Sequence, residues 1–490
     1  MSRRRSFALG ISLAVLAPLA FAASPATAAP VAAKPYDFDG DGFPDLAVGA
    51  PYLTVTRELA GGLALLPASA SGLGRTAQLL TADSPGVVGD PEIEERLGTA
   101  VTSGDFDGDG FADLAVGRPG AYRPQEASGA VAVLYGSARG LTAARSTELL
   151  APQGPSFDTG FASAMVAADF DGDGRDDLAV SGEDYHATDE GTGSVAVFSG
   201  ATTGLSQRRN VLLFGLLGSI GGAYDEDFGR TLAAGDLDED GRPDLVVGSQ
   251  RQLPSGTDGA VTTCYGSSTG VTSCAELVHD ASLAGSYALA VGNVSGTSRP
   301  EVVLGVAPYK DKRGGRVETL SLSGGRASTK VTRTELTQDS PGVRGSSEKG
   351  DDFGNAVDLG DLDRDGYADL VVGAPGEDKG RGRVTVVYGG SKGYRTSDGK
   401  IYDQDTRGVP GKAEKNDAFG TSVALVDHDQ DGHLDLAVGA SGENDDQGAV
   451  TTLDGSGTSI TTKAARTFTL KDLGYPTPDG RGRFGSSLGQ

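Results

Sequence analysis

Seven copies of one acidic turn limit what this 490-residue chain can fold into. The first reads Asp37, Phe38, Asp39, Gly40, Asp41, Gly42, Phe43, Pro44, Asp45, Leu46, followed by Ala47 and Val48 and then by Gly49, Ala50 and Pro51. The pattern DxDxDGxxDL starts again at Asp105, Asp169, Asp236, Asp361 and Asp427, with aspartate at positions 1, 3, 5 and 9 and glycine at position 6 each time. A worn copy from Asn293 to Glu301 keeps the frame but has Asn293, Ser295 and Thr297 where the others carry aspartate. Successive first positions lie 68, 64, 67, 57, 68 and 66 residues apart, too far for single helix pairs and about right for a blade of four strands.

A second signature stands eight residues ahead of each intact turn after the first: Leu97 with Gly98, Phe161 with Ala162, Phe228 with Gly229, Phe353 with Gly354, and Phe419 with Gly420. The first turn has none upstream, and the missing copy is found at the far end of the chain as Phe484 and Gly485. Eight residues on from Phe484 is position 492, which falls 65 after Asp427 and so one period further. That arithmetic describes a ring in which the C-terminal strand completes the first blade, removing the edges an open array would expose. A third strand of small and β-branched residues recurs at Ala130 to Tyr135, Ser194 to Phe198, Val384 to Tyr388 and Ala449 to Leu453. Glycine supplies 76 residues, tryptophan none, and no long stretch spaces its apolar residues as a helix does. The expected fold is all-β: a seven-bladed β-propeller of four-stranded blades filling residues 29 to 490.

Four carboxylates within one turn repel one another unless a cation sits among them. Oxygen at positions 1, 3 and 5, a backbone carbonyl at position 7 and glycine at position 6 match the first half of an EF-hand calcium loop, with aspartate at position 9 in place of the distant glutamate. The expected ligands are Asp37, Asp39, Asp41, Phe43 and Asp45; Asp105, Asp107, Asp109, Phe111 and Asp113; Asp169, Asp171, Asp173, Arg175 and Asp177; Asp236, Asp238, Asp240, Arg242 and Asp244; Asp361, Asp363, Asp365, Tyr367 and Asp369; and Asp427, Asp429, Asp431, His433 and Asp435. Position 7 contributes its carbonyl in each set. Magnesium fits less well, because it keeps more of its water. About six Ca²⁺ are expected, and none in the worn loop.

Arg3, Arg4 and Arg5, the apolar run from Ala8 to Ala22, and Ala26 with Ala28 read as a signal peptide over residues 1 to 28, of Sec or twin-arginine type. No other segment approaches the length of a membrane helix, so a secreted protein is expected. Export favours a disulfide between the only cysteines, Cys264 and Cys274, which flank a glycine-rich turn. The formal charge is -25, and loss of the three leader arginines makes it -28, which disfavours nucleic acid and anionic membranes as partners.

These repeats resemble the FG-GAP family, the seven-bladed propeller found at the head of integrin α subunits and in bacterial exported proteins. Phe353, Gly354, Gly373, Ala374 and Pro375 carry both halves of the motif, while Leu97, Ala162 and Ser441 depart from it. The resemblance covers residues 36 to 490 and implies calcium loops on one face and a ligand on the opposite one. Integrin leg domains and an inserted adhesion domain have no counterpart in this chain.

Enzyme-like motifs sit in the wrong context. Gly266, Ser268 and Gly270 spell GxSxG between two expected strands, not at a strand-to-helix turn, and Gly480, Gly482 and Gly485 fit GxGxxG with no helix to follow. The histidines, His186, His279, His428 and His433, lack metalloprotease spacing and read as exposed loop residues. Tyr52, Tyr122, Tyr185 and Tyr309 follow their loops at offsets of 15 to 17 and could stack on sugars or anchor a protein, or simply pack in loops. The expectation is a non-enzymatic binding or adhesion module for protein or glycan, with an exported hydrolase or lyase on polysaccharide or phospholipid as the alternative.

Overall fold

Each acidic turn joins two antiparallel strands. Val101–Gly104 leads into the turn at Asp105 and pairs with Asp113–Arg118, which leaves it, in the register Gly104 to Asp113 and Val101 to Val116. In five blades the strand after the turn, Asp113–Arg118, Asp177–Gly182, Glu301–Val306, Asp369–Ala374 and Asp435–Ala440, is buried along its whole length. Such strands read as unbroken apolar runs because both faces of the sheet are covered by neighbouring sheets. In this computed structural model the described residues are 33–55, 57–89, 92–121, 129–152, 160–182, 193–207, 210–214, 224–253, 256–297, 299–307, 314–323, 330–475 and 481–489. They belong to one compact unit, Ala32–Gln490. The expected leader and Tyr122, Tyr185, Tyr309 and His186 lie outside the described residues.

Seven four-stranded antiparallel sheets follow one another. From inner to outer strand, blade 2 is Val101–Gly104, Asp113–Arg118, Ala130–Tyr135 and Thr142–Leu150. Blades 3, 4, 5, 6 and 7 repeat that order from Phe161–Ala168, Tyr224–Gly235, Ser286–Gly292, Ala356–Gly360 and Phe419–Val426 respectively. Blade 1 is assembled from both ends of the chain. Its inner strand is Ser487–Leu488, paired with Leu46–Gly49 through Val48 to Leu488 and Gly49 to Ser487. The ring is therefore closed by the C-terminal strand, as the repeat arithmetic requires. The inner strands of successive blades lie against one another around a central channel, to which Ser487, Val101, Met165, Leu232, Leu289, Val357 and Ser422 contribute, one from each blade.

Each junction between neighbouring blades has its own hydrophobic core, seven in all. The leading phenylalanines Phe161, Phe228, Phe353, Phe419 and Phe484 are fully buried in these cores. The glycine that follows four of them has a different task. Gly354 N–H donates to the carbonyl of Gly373 in its own blade at 3.0 Å, and Gly485 N–H does the same to Gly49. A Cβ on Gly373 would stand 2.1 Å from the carbonyl oxygen of Gly420 in the next blade, and one on Gly305 would stand 1.8 Å from that of Gly354. The two halves of the repeat signature are thus the two sides of one backbone contact between blades.

Candidate metal centres

The six intact loops share a hydrogen-bond scheme. The position-6 glycine N–H donates to the position-1 carboxylate at 2.9 to 3.0 Å in every one, from Gly42, Gly110, Gly174, Gly241, Gly366 and Gly432. These glycines hold φ between 83° and 94°, a conformation that a side chain resists. The position-7 N–H donates to the position-5 carboxylate at 2.8 to 3.1 Å, from Phe43, Phe111, Arg175, Arg242, Tyr367 and His433. Position 9 ties the loop to the blade. Asp45, Asp113, Asp177, Asp244, Asp369 and Asp435 each accept, at 2.8 to 2.9 Å, a backbone N–H one or two residues after the third strand.

These bonds curl the acids inward. Carboxylate oxygens of Asp37, Asp39 and Asp41 lie within 4.8 Å of one another, and so do those of Asp105, Asp107 and Asp113, of Asp169, Asp171 and Asp173, of Asp236, Asp238 and Asp244, and of Asp361, Asp363 and Asp365. Four buried loop oxygens have no hydrogen-bond partner: Asp37 Oδ1, Asp177 Oδ2, Asp363 Oδ1 and Asp427 Oδ1. Burial, reinforced by the neighbouring carboxylates, pushes the position-9 carboxyl up to about 7 at Asp45, Asp177, Asp244 and Asp435, about 8 at Asp113 and about 6 at Asp369. Partnerless buried oxygens beside crowded acids that resist ionisation are what an oxygen-ligated hard cation would relieve, so the residues fit calcium.

The worn loop is an internal control. Its Glu301 is fully buried, and its Oε1 accepts from the hydroxyl of Ser295, with Thr297 Oγ1 3.0 Å away. Here the protein's own hydroxyls satisfy the acid at position 9.

The loops also lock blade to blade. The position-1 carbonyls of Asp37, Asp105 and Asn293 accept from Ala112, Asp176 and Ala368 of the next blade at 2.7 to 3.1 Å, and the position-2 carbonyls of Phe38, Phe106, Phe170 and Val294 accept from its third-strand turn at 3.0 to 3.2 Å. At the junction of blades 7 and 1, position 8 is Pro44 and has no N–H. His428 replaces that bond: its Nδ1–H donates to the Pro44 carbonyl at 2.6 Å. The expectation that His428 is exposed is corrected, since the residue is 2% exposed and burial pushes its pKa down to about 4. Position 2 is buried in all seven loops, and its apolar character in the other six was the signal. His279 is exposed, as expected, but lies in the strand Ser273–Asp280 and not in a loop, and His433 is half-buried.

Of the tyrosines, Tyr52 is half-buried with the guanidinium of Arg483 4.9 Å and that of Arg96 5.6 Å from its ring centre. Cys264 and Cys274 face each other across neighbouring strands and are disulfide-bonded. The GxSxG segment is the hairpin between Gly256–Tyr265 and Ser273–Asp280. Two residues at the loops carried no periodic signal. Arg145 and Arg395 reach Asp107 and Asp363 from outer strands, 40 and 34 residues after their loops begin.

Fold and site together define a seven-bladed propeller with an acidic loop between the first two strands of six blades. The FG-GAP repeat matches at residues 32–64, 97–134, 161–198, 228–263, 353–387 and 419–453, so six of the seven blades carry FG-GAP repeats. The blade with the worn loop is the one left unmatched. Human integrin alpha-IIb is 34% identical over 168 residues, covering 32% of this chain and 15% of its own. Integrin alpha pat-2 of Caenorhabditis briggsae is 33% identical over 236 residues, covering 44% and 18%. Human phosphatidylinositol-glycan-specific phospholipase D is 37% identical over 167 residues, covering 31% and 18%. The chain thus spans less than a fifth of these relatives. A solved rhamnogalacturonan lyase of Bacillus licheniformis aligns over 86% of this chain and 84% of its own at 13% identity, with a TM-score of 0.35, too low to bear on fold or chemistry.

The expectation of a non-enzymatic protein is corrected by the phospholipase D relative, which places an enzyme among the proteins that share this repeat. Motif spacing within the repeats could not reveal this, because the repeat itself is a scaffold common to proteins of different activity.

Proposed function

We infer that this chain is an extracellular calcium-binding propeller, with about six Ca²⁺ on its loop face and a protein or glycan bound at the face opposite. The observation that carries the reading is the recurrence, around the ring, of inward-curled acids with partnerless buried oxygens. The acids at positions 1, 3, 5 and 9 would hold each ion together with the position-7 carbonyl, and the ion would supply charge neutralisation that stiffens a loop already joined to the next blade. Six ions would take the leaderless charge from -28 to about -16. The similarity to integrin alpha chains supports adhesion as the use of the opposite face, and Tyr52 with its two arginines lies in the connection after the second strand of blade 1. A second reading rests on phosphatidylinositol-glycan-specific phospholipase D: the propeller serves a hydrolase that acts on a phospholipid or glycan.

The test is to count metal in the purified protein by elemental analysis and to follow thermal unfolding in excess calcium and in chelator. About six ions and a large loss of stability on chelation are expected. Zero or one ion with unchanged melting would overturn the calcium reading. Hydrolysis of a glycosylated phosphatidylinositol by the same preparation would favour the second reading over adhesion.

A further inference from the structure

Three junctions between blades hold a buried acid at the end of the inner strand away from its loop. Glu95, Asp351 and Asp417 stand two residues before Leu97, Phe353 and Phe419 and are at most 3% exposed. Each accepts the N–H of the residue three before it, from Glu92, Glu348 and Glu414 at 2.5 to 2.9 Å. A carboxylate so placed is costly unless a cation pairs with it or a proton neutralises it.

In two of the three junctions an arginine of the chain supplies the charge. Between blades 1 and 2, the fully buried Arg118 pairs with Glu95 and, at 2.8 Å, with Glu148. Between blades 5 and 6, Arg383 Nη1 lies 2.6 Å from Glu377 Oε1. Asp351, whose carboxyl burial pushes up to about 6, also feels that charge. Gln338, 1% exposed, donates from Nε2 to the other Glu377 oxygen at 2.5 Å.

The junction of blades 6 and 7 repeats this arrangement without the arginine. Gln404, 2% exposed, donates from Nε2 to Glu443 Oε2 at 2.5 Å, as Gln338 does to Glu377. In strand register Ala440 stands where Arg118 does, and Ala449 where Arg383 does. The carboxyls of Asp417 and Glu443 are within hydrogen-bonding reach of one another; burial raises both, and the nearby Glu414 adds to it. Arg381 is exposed and acts on Asp417 from a distance; among the described residues no basic group makes an ion pair with Asp417 or Glu443. Blades 6 and 7 are described throughout except for residues 476–480, which include no lysine, arginine or histidine.

Gln404 Oε1, on the amide laid against this acid pair, is buried and has no partner. Gln338 Oε1 also lacks one, but its junction holds a partnerless donor as well, the buried Nε of Arg383. The residue in that place beside Gln404 is alanine.

We propose that the junction of blades 6 and 7 binds a calcium ion through Asp417, Glu443 and the Gln404 side-chain oxygen, on the face opposite the acidic loops. The site shares no residue with the six loops and, counted with them, is the seventh. Two carboxylates balance the ion's charge, and water completes its shell. With half the carboxylates of a loop it belongs to the weak class of extracellular sites, with dissociation constants of about 10⁻⁴ to 10⁻³ M. A proton shared by the two acids is the competing account.

The experiment is equilibrium dialysis of the full chain against millimolar calcium, with bound ions counted per chain. Glu443→Gln, which removes a ligand, and Ala449→Arg, which supplies the guanidinium that Arg383 supplies in the neighbouring junction, should each bind one ion fewer than the parent. Arg383→Ala should bind one more, a gain that damage to the fold cannot produce. Counts unchanged in the first two variants, or no gain in Arg383→Ala, would overturn the seventh site and leave the loop reading standing. A parent that binds a single ion, lost in Glu443→Gln and in Ala449→Arg, would keep this site and overturn the loops.

Discussion

Ala162 stands where five of the other six blades have glycine, and it holds φ at 72°. A side chain in that region carries a steric penalty of about 1 kcal/mol. At the matching position of blade 6, Gly354 has φ 99°, and a Cβ would stand 2.5 Å from the Arg316 carbonyl oxygen and 3.1 Å from the Gly305 Cα. Both are backbone atoms, which move only if the seam between blades 5 and 6 opens. Ala162→Gly should therefore stabilise the protein by ~1 kcal/mol, and Gly354→Ala should destabilise it by ~3 kcal/mol. Chemical denaturation in excess calcium measures both; an unchanged Gly354→Ala protein would show that the seam is looser than its geometry implies. Residues differ in how far the sequence betrays them. The loop acids announce themselves by spacing, and His428 could have been placed inside by its apolar counterparts. Arg145 and Arg395 could not, because a long side chain reaches its partner from many positions and leaves no fixed interval behind.

Within one loop, position 5 and position 9 do different work. Asp365 accepts only the Tyr367 N–H among backbone donors, through Oδ1 at 3.0 Å, and asparagine can accept the same bond. Asp369 accepts from Gly389 N–H on Oδ1 at 2.8 Å and from Leu362 N–H on Oδ2 at 2.8 Å. Asparagine has one acceptor oxygen, so Asp369→Asn turns an amide against one of those donors at a cost of about 2 kcal/mol. In calcium both Asp365→Asn and Asp369→Asn should melt below the parent protein. In chelator, Asp365→Asn should melt with the parent while Asp369→Asn stays lower, and differential scanning calorimetry separates the two. Equal deficits in chelator would mean that position 5 supports the blade without metal. The same division explains which elements were legible. Loops and the strands after them have fixed chemistry and buried faces, and they were read in place. Outer strands were not: Lys330–Leu336 alternates between exposed and partly buried residues, while Gln78–Leu80 and Arg466–Phe468 have three residues each. An edge strand open to solvent accepts many sequences, so its length and register leave little trace.

Closure is the property that belongs to the whole ring. A linear stack of blades would unfold in pieces from its ends, since each repeat contacts only its neighbours. Here the last segment becomes part of the first blade: Leu488 pairs with Val48, Phe484 is buried between blades 7 and 1, and Ser487 Oγ donates to the Gly98 carbonyl of blade 2 at 2.8 Å. On the loop face the same junction is held by His428 on Pro44, and by Lys34 Nζ on Gln430 Oε1 at 2.5 Å. Every blade then has two neighbours, and losing any one blade opens the core on both sides of it. Removing residues 484–490 deletes the inner strand of blade 1 and bares the edge of Leu46–Gly49, but leaves the acidic loops and the other six sheets intact. The truncated chain should keep its calcium stoichiometry and lose the single cooperative transition expected of the full chain. Hydrogen exchange followed by mass spectrometry should show blades 1 and 7 opening first and blades 3 to 5 last. Uniform exchange around the ring at unchanged stability would mean that the blade cores alone hold the propeller together. In that case the split of the first blade between the two ends of the chain would set the topology without adding to the stability.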